Sequence, residues 1–239
     1  MLAIFKREMR SYFTTSIGYI FLASALVISA LIFSISTIFS QTADTSVYFS
    51  GLVFVLMVFI PILTMKSFSE EKRTKTEQML LTAPVSTIQM VLGKFFSAFT
   101  MLAIFLGLSC VFILPLNSFV AEDASGPNPA LVIGNIMALL LVGMCFIAIG
   151  IFISSLTENQ FAAIVITILV LLLLFLINIF NSVIEVYVIR VILDWLSIYA
   201  RYESFTNGIF DIGALIYYIS VSGVFLFLTV RVFESRKYN

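Results

Sequence analysis

The chain has 239 residues, of which 61% are apolar and 11% charged, against about 45–50% apolar and about 25% charged in an ordinary soluble domain, so a soluble globular enzyme is excluded. Thirteen basic and thirteen acidic residues cancel, leaving no bulk positive field to hold nucleic acid. Histidine is absent, which removes the usual general base and the commonest metal ligand, so neither a catalytic residue nor a metal site is expected; Cys110 and Cys145 lie in apolar runs, where a thiol packs as a small hydrophobe.

Residues 1–15 open the chain with Leu2, Phe5, Met9 and Tyr12 on one helical face and Lys6, Arg7 and Arg10 elsewhere. This is the pattern of a helix lying in a membrane interface, or equally of a basic flank to the first span. Marking every charged residue then leaves six charge-free runs, 11–43, 45–65, 95–121, 124–157, 159–184 and 212–230. A helix needs about 20 apolar residues to cross a hydrocarbon core of ~30 Å, so each run holds one span. The spans are placed near 17–39, 46–65, 93–116, 130–153, 160–181 and 211–231. The first is too long, and lacks a small-residue cleavage site, for a cleaved signal peptide. The expected architecture is an all-α membrane protein, with residues 1–239 forming a single transmembrane domain.

Between spans two and three, residues 66–88 carry more charged residues than any other connection between spans. Ser67 with Glu70, and Thr74 with Glu77, are spaced as capping boxes, so a short charged helix is predicted over 67–81. Ala83-Pro84 ends it, and Ser86 with Gln89 caps the following span. Charge alone would make this a solvated connector; Met79, Leu80 and Leu81 argue for a segment seated on an interface or a protein groove. Further along, Gly126, Pro127 and Pro129 mark a turn. Gly150 and Ser154 at i,i+4 permit close helix contact, Pro61 is expected to bend span two, and Thr157 with Gln160 is spaced to cap span five. Asn178 and Asn181 share a face near the end of span five, suited to hydrogen bonding between helices or to a transport route. Residues 185–207 are apolar enough to suggest a seventh span, but Glu185, Arg190 and Asp194 oppose it. They read as short re-entrant or interfacial helices, with Arg190 and Asp194 paired at i,i+4.

With the amino terminus inside, eleven Lys and Arg residues fall on one side and only Arg190 and Arg201 on the other. This bias places both termini in the cytoplasm of a multi-pass plasma-membrane protein. Gly93-Lys94 is followed by Phe95 and lacks the earlier glycine of a phosphate loop, and no span carries the central acid or histidine of an ion relay. If the chain transports, another chain supplies the energy. Composition alone also allows a membrane scaffold, a regulatory subunit, or a channel or ion-coupled carrier.

The stretch MKSFSEEKRTKTEQMLLTAPVS at 65–86 resembles the cytoplasmic loop of ABC-2 type transporter permeases, in particular the gliding-motility-associated (GldF-like) branch. The carboxyl-terminal stretch from YARYESFTNG at 199–208 to the end looks like the same branch, as do SIGYIF at 16–21 and SSLTENQ at 154–160. The resemblance implies an exporter permease half that dimerises with an identical or related chain and is driven by a separate cytoplasmic ATPase dimer. That partner binds ATP and Mg; this chain holds no cofactor. It further implies that 67–81 is the coupling helix, with Glu70, Glu71, Lys72, Arg73 and Glu77 as polar contacts and Phe68 as an apolar anchor on the ATPase. It makes 182–210 extracellular and re-entrant, and sets a dimer seam along spans one and five, where Ala25 and Ser29 offer small side chains.

Overall fold

The computed structural model describes residues 1–40, 45–75, 86–114, 129–183, 193, 197–206, 208 and 211–238. Among these, the regular elements are all helical. Helix α1 (Leu2–Thr14) leads into α2 (Ser16–Phe33), which continues through a π-helical turn, Ser34–Ile38. There follow α3 (Ser46–Thr64), the short α4 (Ser69–Arg73), α5 (Thr87–Ser109), α6 (Pro129–Leu156), α7 (Gln160–Val183), α8 (Ile198–Thr206) and α9 (Ile212–Tyr238). Six helices, α2, α3, α5, α6, α7 and α9, are long and apolar enough to cross a membrane.

Two boundaries move relative to the charge pattern. Helix α5 begins at Thr87, six residues before the expected 93, because the Ser86 hydroxyl accepts from the Gln89 N–H at 3.3 Å and starts the helix there. Helix α9 runs to Tyr238, past the expected 231, since Phe233 is buried and Arg236 donates to the Ser155 carbonyl at 2.8 Å. The chain's last turns are thus docked on the protein.

Helices α3 and α6 form the centre. In each, 67% of the apolar window is buried, compared with 17% in α7 and 28% in α2. Helix α6 packs between α3 and α9 and also touches α5, α7 and α8. The α3–α6 contact is close because Gly150 has no side chain: a Cβ there would overlap Thr64. At the other end of α6, the Tyr202 hydroxyl of α8 donates to Asn135 Oδ1 at 3.2 Å, and the Tyr218 hydroxyl of α9 donates to the Ile198 carbonyl at 2.8 Å. Ile198 lies with Val142 and Phe146 around one small apolar void, whereas the Phe205 carbonyl approaches Gly134 and Gly208 approaches Leu131. Helix α8 therefore runs antiparallel along the first half of α6. Glu185, Arg190 and Asp194 lie outside the described residues, and with them the expected ion pair; so does the turn at 122–128.

Both termini reach the same end of the bundle. Arg7 of α1 pairs with Glu71 of α4, and Phe233 of α9 packs on Phe68 beside it.

Candidate functional site

Helix α4 is only five residues long, and its start is held from another helix. The backbone N–H groups of Phe68 and Ser69 both donate to Ser154 Oγ, at 3.1 and 3.2 Å, while that hydroxyl donates to the Met65 carbonyl at 3.1 Å. Ser154 of α6 thus does the work expected of the Ser67–Glu70 capping box; Phe68 is the N-cap, without a side-chain cap of its own. Glu70 instead reaches Lys66 at 3.7 Å. At the other end the Thr74 hydroxyl donates to the Glu70 carbonyl at 2.8 Å, and Lys75 turns the chain with φ 56°. Glu77 and the rest of the predicted helix, 76–81, lie outside the described residues.

Lys94 sits two turns into α5, yet its stem points back toward the helix start, as side chains on a helix do. Its ammonium lies 2.8 Å from Glu71 Oε1 and 3.5 Å from Glu8 Oε1, donates to the Ser67 carbonyl, and stands 4.6 Å over the Phe68 ring. Arg7 Nη2 closes the circuit at 2.8 Å from Glu8 and 2.9 Å from Glu71. The Lys94 side chain is 2% exposed, and those of Glu8 and Glu71 are 17% and 16% exposed. Two cations and two carboxylates from three elements are therefore gathered here, with Lys94 buried at the inner end and the Arg7 side chain, 51% exposed, at the solvent edge. Burial works against the Arg7 charge, but Glu8 and Glu71 outweigh it and hold its pKa above the usual value. Burial, helped by the Glu8 charge, likewise pushes the Tyr12 phenol up, so it stays neutral. A polar cleft of about 330 Å³ lies between α1 and the α3–α4 turn, with Glu8 and Tyr12 on one wall and Lys66 and Glu70 on the other.

Lys72 faces another way. Its ammonium is 3.4 Å from Glu158 Oε1 and 3.5 Å from the Leu156 carbonyl, so it joins α4 to the α6–α7 connection. In that connection Asn159 Oδ1, rather than the expected Thr157, caps α7 by accepting from the Phe161 N–H at 2.9 Å; the Thr157 hydroxyl donates back to Ile153. Helix α1 also differs from expectation in its buried face: Ile4 packs against Gly93, while Leu2 is exposed.

The residues singled out from sequence thus divide. Phe68 is buried and packs on Phe233 at 4.6 Å, so it anchors α4 to this chain's own bundle rather than to a partner. Glu71 and Lys72 are engaged in pairs within the chain, Glu70 is partly exposed, and Arg73 is exposed. Ala25 and Ser29 are fully buried inside the bundle, so they are not surface for a second chain; the outward face of α2 carries Val27, Leu31 and Ile35. Asn178 is half-buried in α7, and the side chain of Asn181, one turn on, lies outside the described residues. Helix α3 stands between α2 and α7, so the two groups do not form one site.

Sequence reasoning did not select Lys94, Arg7 or Glu8, and it picked out Ser154 only as a small residue, with Gly150, for close helix contact and not as a cap. Lys94 left a signal, a lone cation inside an apolar span, which demands a partner. For Ser154 the spacing from Gly150 signalled close helix contact, but nothing distinguished a hydroxyl capping another helix from one bonded to its own. No group of side chains suited to a metal occurs among the described residues. A family model described as ABC-2 family transporter protein matches residues 39–233, from the end of α2 into the last turns of α9. No curated protein matches the chain.

Proposed function

Because the chain belongs to the ABC-2 family of transporter proteins, a family of membrane permease components, we propose that it is one permease half of an ABC exporter, paired with an identical or related chain and driven by a separate cytoplasmic ATPase dimer. Its own motifs put it near the gliding-motility-associated branch, without implying a role in gliding. ATP and Mg belong to the partner ATPase. The eleven-to-two distribution of Lys and Arg supports a cytoplasmic location for both termini and for α4. On that orientation α8, running beside the first half of α6, is re-entrant from the outside.

The observation that carries the reading is the fastening of α4. A five-residue helix in solvent could move without consequence. This one is joined by ion pairs to α1 and α5, by the Ser154 hydroxyl to α6 and by Phe68 to α9. A push delivered to it is not absorbed locally but passes into three spans and α1. Glu70 and Arg73, the side chains of α4 most open to solvent, are the residues that would meet the ATPase. The choice of α2 and α7 for a second permease chain rests on the family resemblance, since α9 is as sparsely buried as α2, and the apolar interior favours a hydrophobic or amphipathic cargo.

The test is co-purification with a candidate ATPase, with hydrolysis and transport measured with and without the permease. Reversing both charges, Glu70→Lys with Arg73→Glu, is expected to weaken the complex about tenfold or more, equal to roughly 1.4 kcal/mol, and to uncouple hydrolysis from transport. Hydrolysis and transport equal to wild type would reduce α4 to a connector.

A further inference from the structure

On the side of the bundle away from α7, a groove of about 410 Å³ runs between the first turns of α5 and the last third of α9. Its walls are Ile88, Val91 and Leu92 on one helix and Leu226, Phe227 and Val230 on the other. Gly223 lies at its far end, where a Cβ would meet nothing within 4 Å, so the groove is open over bare backbone there. From Gly223 to Arg231 the axis rises about 12 Å. A single hydrocarbon chain fits lengthwise in a groove of that length and volume.

The mouth is charged. Arg231 ends the apolar run of α9, at the level where α5 begins, and its side chain is 65% exposed. Its guanidinium lies 5.1 Å over the Phe227 ring and 3.2 Å from Glu234, whose side chain is 38% exposed. Guanidinium binds phosphate oxygens in preference to other lipid groups. Glu234 beside it repels a headgroup with net negative charge and offers a partner to an ammonium that can donate hydrogen bonds. We propose that this groove is a site for a phospholipid with a primary ammonium headgroup, such as phosphatidylethanolamine: phosphate on Arg231, ammonium on Glu234, and one acyl chain laid along α9 to Gly223. The lipid opens the Arg231–Glu234 pair and replaces it with alternating charges, so no carboxylate or guanidinium loses a partner. Spans three and six are thereby sealed on their lipid face, opposite the side proposed for the second permease.

Which leaflet supplies the lipid rests on the orientation proposed above. Retention of lipid by the purified chain reads the headgroup regardless of orientation, so the two readings fail separately. The full chain is equilibrated with equal amounts of phosphatidylethanolamine, phosphatidylcholine and phosphatidylglycerol in detergent, re-purified, and its bound lipid counted by mass spectrometry. Phosphatidylethanolamine is expected to exceed each of the others at least threefold. Gly223→Phe, filling the groove, should lower the retained lipid to near the detergent background while gel filtration and helicity match wild type. Glu234→Gln, on an exposed side chain, should equalise phosphatidylethanolamine and phosphatidylglycerol even if the Gly223 variant misfolds. Equal retention of the three lipids by wild type, an unchanged preference in Glu234→Gln, or undiminished retention by a folded Gly223→Phe would each overturn the assignment.

Discussion

Lys94 shows what a single residue can do in this fold. A lone ammonium two turns inside a span is unfavourable on its own, and it is retained here because Glu8, Glu71 and the Ser67 carbonyl surround it. Desolvation cancels much of the attraction in such a cluster, and the packing of α1, α4 and α5 observed here is one that pairs all four charges. Removing Lys94 is another matter, since Glu8 and Glu71 stay largely buried and are then unbalanced. Lys94→Met is expected to destabilise the chain by about 3–5 kcal/mol, read as a fall in thermal stability in detergent. Lys94→Met with Glu71→Gln should recover part of that loss, because one carboxylate then remains for Arg7; a double variant as unstable as the sum of the single ones would deny that the groups are coupled. The lone lysine was visible in the sequence, but not its partners, which lie 23 and 86 positions away.

At the scale of the element, α4 illustrates why a capping motif is only a local expectation. Ser67 and Glu70 have the right spacing, but Ser67 is buried with its carbonyl bound to Lys94, and Glu70 is drawn to Lys66. The two free amides at the helix start are met by Ser154, 86 and 85 residues away. Ser154→Ala should therefore cost about 1 kcal/mol, the usual effect of a lost cap. It should also speed hydrogen exchange at the Phe68 and Ser69 amides, leaving the α5 start unchanged; slow exchange retained at both amides would show that Ser154 is not the cap. By contrast the Ser86–Gln89 spacing did predict the start of α5, since no tertiary partner competes there among the described residues. The misplaced boundary at 93 came from Lys94, which cut the charge-free run short.

For the whole molecule, the decisive quantity is the distribution of charge along the chain. It predicts that cysteines placed at Ser118 and Ser182 react with a membrane-impermeant reagent added outside, and one at Lys237 only from inside, in a background lacking Cys110 and Cys145. External labelling at Lys237 would reject the orientation. The structure adds that α9 continues to Tyr238 and docks through Phe233 and Arg236, which ties that terminus to the end bearing α1 and α4. On the proposed orientation the partly exposed Glu70 and the exposed Arg73 would lie on the cytoplasmic side, where the proposed ATPase would meet them.

The sequence by itself determined that the chain is helical, that six segments are long and apolar enough to span, and that its most charged connection follows the second of them, because length and charge act along the chain and need no neighbours. Only the tertiary structure decided which way each span turns. A helix apolar all round has no contrast between lipid and protein to report its inward face, so nothing local marked Ala25 and Ser29 as interior, or Val27 and Leu31 as exterior. The facing is decided by where small residues admit a neighbour, as Gly150 admits Thr64, and where polar groups find partners, as Lys94 finds Glu71 and Phe68 and Ser69 find Ser154. Those are relations between residues far apart in the chain, and they exist only once the helices have packed.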